Sequence, residues 1–383
     1  MDRVIGKLSH NHPAVVLLVN SLGVGGAERH TIALANLLSG RFRVVLAYLK
    51  PDESLGALVN RDRLAEVCSL NVRSRVDLRA ARVLADLAAR HDAHLILCAN
   101  GFALMYAQIA RVISRRAVTV LEVFHTMKLG TWKERLSMVF YWPLFLSAHH
   151  LVFVCDGQRK RWRRFGLRAG QVHMIYNGVD LDHFDPMRLA HGAQRWRESF
   201  GFRAQDRVVG ICAALRPEKA HAVLLHAVAQ LQAEGQRWKV LIIGDGPMRQ
   251  AIEATIVALG LQQDVFITGL LSDVRGPLTA CDVVALVSKT EAFSIASLEA
   301  MAMAKPMIMS DVGGAREQVV SRQNGFLFPS GDVRALAECL RECSDSRLCE
   351  EMGKRARQRV ESEFSQKVMA AQYAALLERA IEC

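Results

Sequence analysis

The chain alternates between short apolar runs and longer stretches rich in helix-forming residues. Apolar runs of about four to eight residues bounded by turn residues are typical of buried strands, and the intervening stretches predict helices on both faces of a parallel sheet. This alternation occurs in two series. Strands are predicted at residues 14–20, 42–49, 94–100, 118–125 and 150–156, then at 206–215, 238–246, 263–269, 282–288, 305–311 and 324–332.

Two series of this kind predict an α/β protein with two doubly wound, Rossmann-like domains. The length of 383 residues also exceeds that of one typical core. A polar, turn-rich stretch follows the first series, and we place the hinge near 190–205. The predicted domains are residues 1–195 and 196–365, followed by a terminal helix at 366–383.

Composition excludes several classes of protein. With 51% hydrophobic and 23% charged residues, the chain has enough apolar material for packed cores and is not disordered. The first residues contain Asp2 and only a short apolar run, so we predict no signal peptide. Nine cysteines are scattered without a CxxC pair, which favours free thiols in a reducing cytosol over disulfides or a metal site.

Two glutamates mark the end of a predicted strand in the second series. Glu291 falls in the loop after the apolar run 283–287, and Glu299 falls in a helix predicted at 297–304, which Pro306 ends. Free amides near residues 293–297 could hold an anion at the helix start, and the carboxylates could accept hydroxyl protons on either side of it. This layout suits a diphosphate with a sugar at each end. Two glutamates on the surface of an ordinary amphipathic helix are the alternative.

Other strand-end loops carry candidate chemistry. Gly25 and Gly26 precede a predicted helix and could approach a phosphate or form a plain tight turn, and neither a dinucleotide fingerprint nor a P-loop is present. Arg216 and Lys219 could place two cations on a diphosphate, or could be a solvated pair. His125 ends a strand of the first series, where a core or capping role is the alternative to ligand contact.

The segment 288–314 resembles the E-x7-E region of the retaining GT-B glycosyltransferases of family 4. The run Gly25 to Arg29 and the segment YNGVDLDHF (176–184) resemble the same family. The resemblance implies two domains facing across a ligand cleft, with the final helix crossing back to the first domain. The family more often has Gly where this chain has Ala292 and Ala304, and many members place the Arg where this chain has Ala214.

The resemblance also implies the roles of individual residues. Glu291 and His125 contact the transferred sugar, Glu299 binds the ribose, and Lys219 with Arg216 neutralises the departing nucleotide. No metal and no cofactor are expected, since no His, Cys or carboxylate group stands at ligand spacing. The remaining predicted donor-binding positions are Gly25, Gly26, Gly244, Phe293, Ser294 and Ile295.

Positive charge is concentrated in the first half of the chain. Residues 1–200 contain 28 Lys and Arg against 16 Asp and Glu, whereas residues 201–383 contain 21 and 22. A basic segment at 159–168 mixes cations with aromatic rings, which suits an anionic membrane surface or single-stranded nucleic acid, and a solvated basic helix is the alternative to both. No nucleic-acid-binding motif accompanies it, so the membrane is favoured. The predicted membrane residues are Arg161, Trp162, Arg163, Arg164 and Phe165, and Arg111, Arg115 and Arg116 could extend that face.

The apolar stretch 138–155 contains no Asp, Glu, Lys or Arg. Pro143 and the polar break at 147–150 argue against a membrane span and predict a helix, a turn and a buried strand.

The resemblance, taken with these features, implies a retaining glycosyltransferase that moves a sugar from a nucleotide diphosphate sugar to an acceptor hydroxyl. A lipid-linked or glycan acceptor in surface polysaccharide or glycolipid assembly is expected, with the protein peripheral on the inner face of the cell membrane. A GT-B sugar-nucleotide epimerase is one alternative, but no convincing set of extra acid and base carboxylates can be named. A non-enzymatic basic binder is the other, and it leaves the Glu291 and Lys219 loops without a role.

Overall fold

The computed structural model describes residues 12–114, 116–127 and 132–382, without the side chains of residues 133, 134, 190 and 191. Arg115 and Cys383 therefore lie outside the described residues. The chain forms two compact units, Met1–Asn177 with Gln366–Cys383, and Gly178–Ser365. We call them unit 1 and unit 2. Unit 2 begins before the boundary that we placed at 195/196, because the amide of Val179 donates to the carbonyl oxygen of Phe364 at 2.9 Å.

Thirteen strands lie within the described residues, seven in unit 1 and six in unit 2, and every strand pair in both sheets is parallel. In chain order they are β1 Ala14–Val19, β2 Arg43–Tyr48, β3 Glu66–Ser69, β4 Ala93–Ala99, β5 Thr119–Phe124, β6 His150–Phe153, β7 Gln171–Met174, β8 Val208–Cys212, β9 Lys239–Ile243, β10 Val265–Ile267, β11 Val283–Leu286, β12 Met307–Ser310 and β13 Gly325–Phe328.

Helices connect these strands, as parallel pairing requires. In chain order they are α1 Gly26–Leu38, α2 Leu78–Arg90, α3 Gly101–Ile113, α4 Trp132–Leu146, α5 Asp156–Arg164, α6 Ala193–Ser199, α7 His221–Ala233, α8 Arg249–Ala258, α9 Arg275–Ala280, α10 Ile295–Ala302, α11 Ala315–Gln318, α12 Val333–Glu342, α13 Ser346–Glu363 and α14 Gln366–Glu382.

Both sheets are doubly wound. The strand order is β3-β2-β1-β4-β5-β6-β7 in unit 1 and β10-β9-β8-β11-β12-β13 in unit 2. The chain reverses its direction of travel across the sheet between β1 and β4 in unit 1, and between β8 and β11 in unit 2. Loops diverge at such a reversal, so the carboxyl ends of these strands are the usual place for a ligand. The predicted α/β class with two Rossmann-like domains is confirmed.

The central strands follow from the apolar runs. Every residue of β1 is buried, and β4 and β8 are almost wholly buried, because helices cover both faces of each sheet. The sequence did not predict β3 and β7. Both are four-residue edge strands with partly exposed polar side chains, so neither leaves an apolar run in the sequence.

The prediction for residues 138–155 is confirmed. The segment ends helix α4, turns at 147–149 and enters the buried strand β6. None of the helices described in the structure is long and apolar enough to cross a membrane.

Candidate functional site

Two neighbouring loops of unit 2 form the candidate site. Strands β8 and β11 are paired, with Val283 beside Val209, so the loops that leave their carboxyl ends lie side by side. The Lys289 amide donates to the carbonyl oxygen of Glu218 at 2.8 Å and ties the two loops together. The candidate residues Lys219 and Glu291 each lie on one of these loops.

An ion pair connects Lys219 with Glu291. The Nζ atom of Lys219 lies 2.9 Å from Oε1 and 2.8 Å from Oε2 of the carboxylate. The side chains are only 20% and 16% exposed, so the pair is largely removed from water. An ammonium has three N–H donors, and the two carboxylate oxygens take at most two of them. Lys219 therefore keeps a donor for a further acceptor.

The start of α10 presents backbone amides beside this loop. The hydroxyl of Ser294 caps the helix by accepting from the amide of Ser297 at 3.3 Å. The amides of Ile295 and Ala296 have no acceptor among the described residues. Unsatisfied amides at a helix start carry partial positive charge and can bind an anion. The sequence predicts an anion at this helix start, and the two amides remain available to donate hydrogen bonds to it.

A buried network fixes where α10 begins. The hydroxyl of Ser297 donates to Oε1 of Gln318 at 2.8 Å, and Nε2 of Gln318 donates to the carbonyl oxygen of Ser294 at 2.9 Å. Gln318 and Ser297 are 0% and 1% exposed. These two residues hold the helix start and were not identified from the sequence. Gln318 ends the short polar helix α11, whose sequence is AREQ, so nothing in the sequence distinguished it from its more exposed polar neighbours.

The other predicted donor residues on α10 differ in exposure. Glu299 is half-buried, on the second turn of the helix. Phe293 is 4% exposed and packs edge-on against Phe364, with ring centroids 5.3 Å apart. The Phe293 ring is therefore part of the core, which leaves its backbone as the part able to meet a ligand.

Two glycines permit close backbone approach at this edge of the sheet. Gly313 has φ +58°, and a Cβ there would collide with the carbonyl oxygen of Glu291. Gly244 has φ +149°, and a Cβ would collide with the carbonyl oxygen of Ala213 in the loop after β8. This close packing explains why glycine stands at position 244 without any ligand contact, although Gly244 is also a predicted donor-binding residue.

Arg216 and His221 flank Lys219. Arg216 is exposed, and its guanidinium makes no hydrogen bond or ion pair with any residue that the structure describes. His221 begins α7, and burial together with nearby Lys219 lowers its pKa to about 4. The ring is therefore neutral at physiological pH and adds no charge beside the lysine.

Unit 1 places His125 in different surroundings. His125 directly follows β5, and its ring lies edge-on to that of His30 on α1, with centroids 5.1 Å apart. His30 also meets the ring of Tyr373 on α14 at 5.5 Å. The Nε2 atoms of both histidines and the hydroxyl of Tyr373 are buried without a hydrogen-bond partner among the described residues. We call these three residues the His30 cluster.

The His30 cluster is electrically neutral. Burial lowers the pKa of His125 to about 4, and burial together with His125 lowers the pKa of His30 well below its ordinary value. Burial raises the pKa of Tyr373 above its ordinary value and that of Glu122, in β5, well above its own. The cluster can therefore donate or accept hydrogen bonds but offers no fixed charge.

Gly25 and Gly26 lie at the start of α1 in unit 1. Gly25 is the N-cap residue, without a side-chain cap, and a Cβ there would collide with the carboxylate of Glu28. Nothing lies within 4 Å of a Cβ placed on Gly26. Across the described residues of both units, no group of three or more His, Cys, Asp or Glu side chains is arranged to hold a metal ion.

Comparison with known proteins decides the family. A model of glycosyl transferases group 1 matches residues 193–359, and a model of glycosyltransferase family 4 matches residues 24–183. The chain belongs to glycosyltransferase family 4. The two matched regions contain both series of strands except β1, and they include the candidate residues of both units.

Relatives of this family 4 chain are found by sequence and by structure. It is 28% identical over 254 residues to EpsD of Bacillus subtilis, covering 65% of this chain and 66% of EpsD. It is 31% identical over 271 residues to WcaL of Salmonella typhimurium, a protein named for colanic acid biosynthesis, covering 68% of this chain and 64% of WcaL. In both cases the chain spans just under two thirds of the relative.

Among solved structures, the protein is similar to Anabaena HepE in complex with UDP. The TM-score is 0.83 at 23% identity, over 96% of this chain and all of HepE. At this identity the likeness concerns the fold, and the GT-B architecture expected for a family 4 glycosyltransferase is shown. The roles of individual residues stay predictions.

The basic segment of this family 4 protein differs in one respect from the sequence expectation. It forms α5, in which Trp162 is 4% exposed and its indole N–H donates to the carbonyl oxygen of Thr126 at 2.8 Å. Trp162 therefore belongs to the core, and its predicted contact with a membrane is wrong. Arg163 and Arg164 are exposed, Arg161 is half-exposed, and Phe165 is 62% exposed.

Proposed function

We propose that this family 4 protein transfers a sugar from a nucleotide diphosphate sugar to an acceptor hydroxyl, with retention of configuration and without a metal. The observation that carries this proposal is the arrangement of Lys219, Glu291 and the start of α10 at the topological switch of unit 2. Lys219 and Glu291 form an ion pair between adjacent loops, and α10 follows Glu291 closely with two available amides at its start and Glu299 on its second turn. A phosphate-containing ligand with hydroxyls at both ends matches this set of groups.

Lys219, Arg216 and the amides of Ile295 and Ala296 would bind the diphosphate. Glu291 holds the Lys219 ammonium in place, so the lysine needs little reorganisation when a phosphate arrives. As the bond between sugar and phosphate breaks, negative charge grows on the leaving diphosphate. Cations positioned in a partly dehydrated site stabilise that charge more than exposed cations would.

The carboxylates would recognise the two sugars of the donor. Glu299 would accept hydrogen bonds from the ribose hydroxyls, and Glu291 from the transferred sugar, since each carboxylate oxygen can accept more than one hydrogen bond. His125 would contact a sugar hydroxyl through its neutral ring, and Gly25 with Gly26 would let the backbone approach the diphosphate. In a retaining transfer of this kind, the leaving phosphate oxygen takes the acceptor proton on the same face of the sugar.

We further propose a lipid-linked or membrane-proximal acceptor in surface polysaccharide assembly, at the inner face of the cell membrane. The positive charge of residues 1–200 supports attraction to anionic lipid. The name of the relative WcaL, which refers to colanic acid biosynthesis, supports the polysaccharide setting.

Thermal shift against a panel of UDP-, GDP- and ADP-sugars tests the donor site. We expect one nucleotide class to raise the melting temperature of the wild-type protein, because a ligand that binds only the folded state stabilises it. Lys219→Ala and Glu299→Ala should lose most of that shift. Lys289→Ala is the matched control, since Lys289 is an exposed lysine on the same loop as Glu291. No shift with any nucleotide sugar, or full shifts in both variants, would overturn the donor-site assignment.

A further inference from the structure

Helix α4 of unit 1 has an unusual surface. One face packs into the core through Met138 and Phe145, which are 8% and 1% exposed. The opposite face is also apolar but lies in solvent. We call this opposite face the α4 stripe, and its members with their exposed fractions are Trp132 69%, Leu136 63%, Val139 70%, Phe140 50% and Leu146 48%, together with exposed Pro143.

The α4 stripe is contiguous. Its members recur every three or four residues, which places them on one side of a helix over its whole length. Single exposed apolar residues are ordinary on protein surfaces, but a continuous apolar face that includes aromatic rings marks an interaction site. A helix that is apolar on both faces requires a partner on the second face.

Cations border the stripe. The Arg75 guanidinium lies over the Phe140 ring at 5.2 Å, and the Arg111 guanidinium donates to the carbonyl oxygen of Ser147, just after the helix, at 3.2 Å. Arg135 is exposed on α4 itself.

On another side the neighbour is α5. Its buried Trp162 lies 6.5 Å from Trp142 of α4, centroid to centroid. Asp156 of α5 pairs with Arg159 and with Lys160. The other three cations of α5 make no ion pair with any described residue, and they are Arg161, Arg163 and Arg164.

We propose that the α4 stripe is the surface by which this protein docks on an anionic lipid bilayer, with α4 lying in the plane of the interface. Apolar and aromatic side chains would enter the boundary between head groups and acyl chains, while the bordering arginines reach anionic head groups. The fifteen residues of α4 are too few to span the bilayer, so the helix lies on it. This assigns the membrane contact to α4, with α5 as its electrostatic border.

Charge favours a bilayer over a second copy of the chain. A twofold interface places the same surface against itself, so the arginines around one stripe would face those of the other. Like charges brought together in this way oppose association. An anionic bilayer takes up the apolar face and neutralises the cationic border at once.

Vesicle cosedimentation without any sugar donor tests the proposal. The probes are vesicles of phosphatidylcholine alone and vesicles of phosphatidylcholine mixed with phosphatidylglycerol. We expect wild-type binding to the mixed vesicles. The double variant Leu136→Glu/Val139→Glu should bind at least about tenfold more weakly, since it loses two aliphatic side chains that would enter the bilayer and gains two negative charges. The matched control is Leu270→Glu/Val257→Glu, in which exposed residues of the same types, 69% and 61% exposed, are changed in unit 2.

Two further measurements separate the outcomes. Trp132 is the most exposed tryptophan of the chain, so its fluorescence should shift to the blue on vesicle binding, and Trp132→Phe should remove that shift. Light scattering after size exclusion gives the oligomeric state. Unchanged vesicle binding in the α4 double variant, equal loss in the control, or a wild-type dimer that the α4 changes convert to a monomer would each overturn the proposal.

The inference names the surface that the proposed membrane-proximal acceptor would require, but its test does not depend on sugar transfer. A nucleotide-dependent thermal shift retained in the α4 double variant shows that the donor site is intact. Failure of vesicle binding with an intact thermal shift would therefore count against the α4 stripe and leave the donor assignment standing.

Discussion

The carboxyl edges of the two sheets differ in their electrostatics, although the sheets share one topology. In unit 2 the edge carries a half-buried ion pair, Lys219 with Glu291, and available helix amides. In unit 1 the corresponding edge carries the His30 cluster, in which polar atoms are buried, uncharged and without partners among the described residues. The same doubly wound frame therefore supports one charged edge and one neutral edge.

The difference shows what each edge can recognise. Fixed charges and amide dipoles suit a phosphate, whose charge rewards a cation in a partly dehydrated site. Neutral rings and a phenol suit hydroxyl groups, which can both donate and accept hydrogen bonds. The proposed roles follow this difference, since Lys219 and the α10 amides would bind the diphosphate and the neutral ring of His125 would contact a sugar hydroxyl.

The largest effect on sugar transfer is expected when the Lys219 cation is removed from the charged edge of unit 2. Lys219→Met should lower kcat/KM for sugar transfer by at least about a hundredfold, the range seen when one preorganised transition-state donor is lost. The variant also leaves the Glu291 carboxylate without its partner, so the site becomes repulsive toward a diphosphate. Steady-state kinetics with the donor found by thermal shift measures the change.

Lys289→Met is the control for this prediction, because it removes an exposed lysine from the loop that also carries Glu291. If Lys219→Met lowers kcat/KM by less than about threefold, the ion pair is a structural feature and the charged edge does not bind the diphosphate. Equal losses in both variants would point to general electrostatic attraction instead.

Much of this contrast could be read from the sequence, and some could not. The apolar runs identified the central strands, and the positions of Glu291, Lys219 and His125 at strand ends identified the candidate site. The partners of those residues lay beyond prediction, since His30 and Tyr373 are separated by more than 300 positions and meet only in the fold. Trp162 was misassigned for a related reason, because a ring among arginines looks exposed until Thr126 and Trp142 are seen against it.

An intermediate effect is expected from acid. The pKa of His125 in the folded protein is about 4 against an ordinary value of 6.5. A lowered folded-state pKa means that the neutral ring stabilises the fold above pH 6.5 and that this stability is lost as the pH falls from there through about 4. At about pH 5 the loss from this residue is about 1–2 kcal/mol. Urea unfolding of unit 1 at about pH 7 and about pH 5, followed through a local probe, measures it.

The free energy of unfolding of His125→Gln should change less between the two pH values than that of the wild-type protein, whatever the stability of the variant at neutral pH. Exposed His94→Gln, in the same unit, controls for the removal of a histidine as such. A pH dependence that is the same in His125→Gln and wild type would show that the ring is already solvated or charged. The neutral edge would then not differ from the charged edge in the way described.

The smallest effect concerns two positions where the family more often has glycine, Ala292 and Ala304. Ala304 has φ +55° and follows the last turn of α10 in a Schellman motif, in which its amide donates to Met301 and the next amide donates to Ala300. A Cβ in this left-handed conformation costs about 1–2 kcal/mol. Ala304→Gly should therefore stabilise unit 2 by up to about 1 kcal/mol, after the greater freedom of glycine in the unfolded chain is counted.

Ala292 provides the comparison, because its φ is not positive and its backbone is not in the left-handed region. Ala292→Gly should destabilise unit 2 by about 0.5–1 kcal/mol, since glycine there adds unfolded-state entropy and relieves no strain. Urea unfolding midpoints of the two variants should move in opposite directions. Stabilisation by both changes would mean that the backbone beside Glu291 also needs glycine, and that the loop holding the charged edge is strained where the structure shows it relaxed. Destabilisation by both would mean that the left-handed conformation of Ala304 costs less than the added freedom of glycine in the unfolded chain.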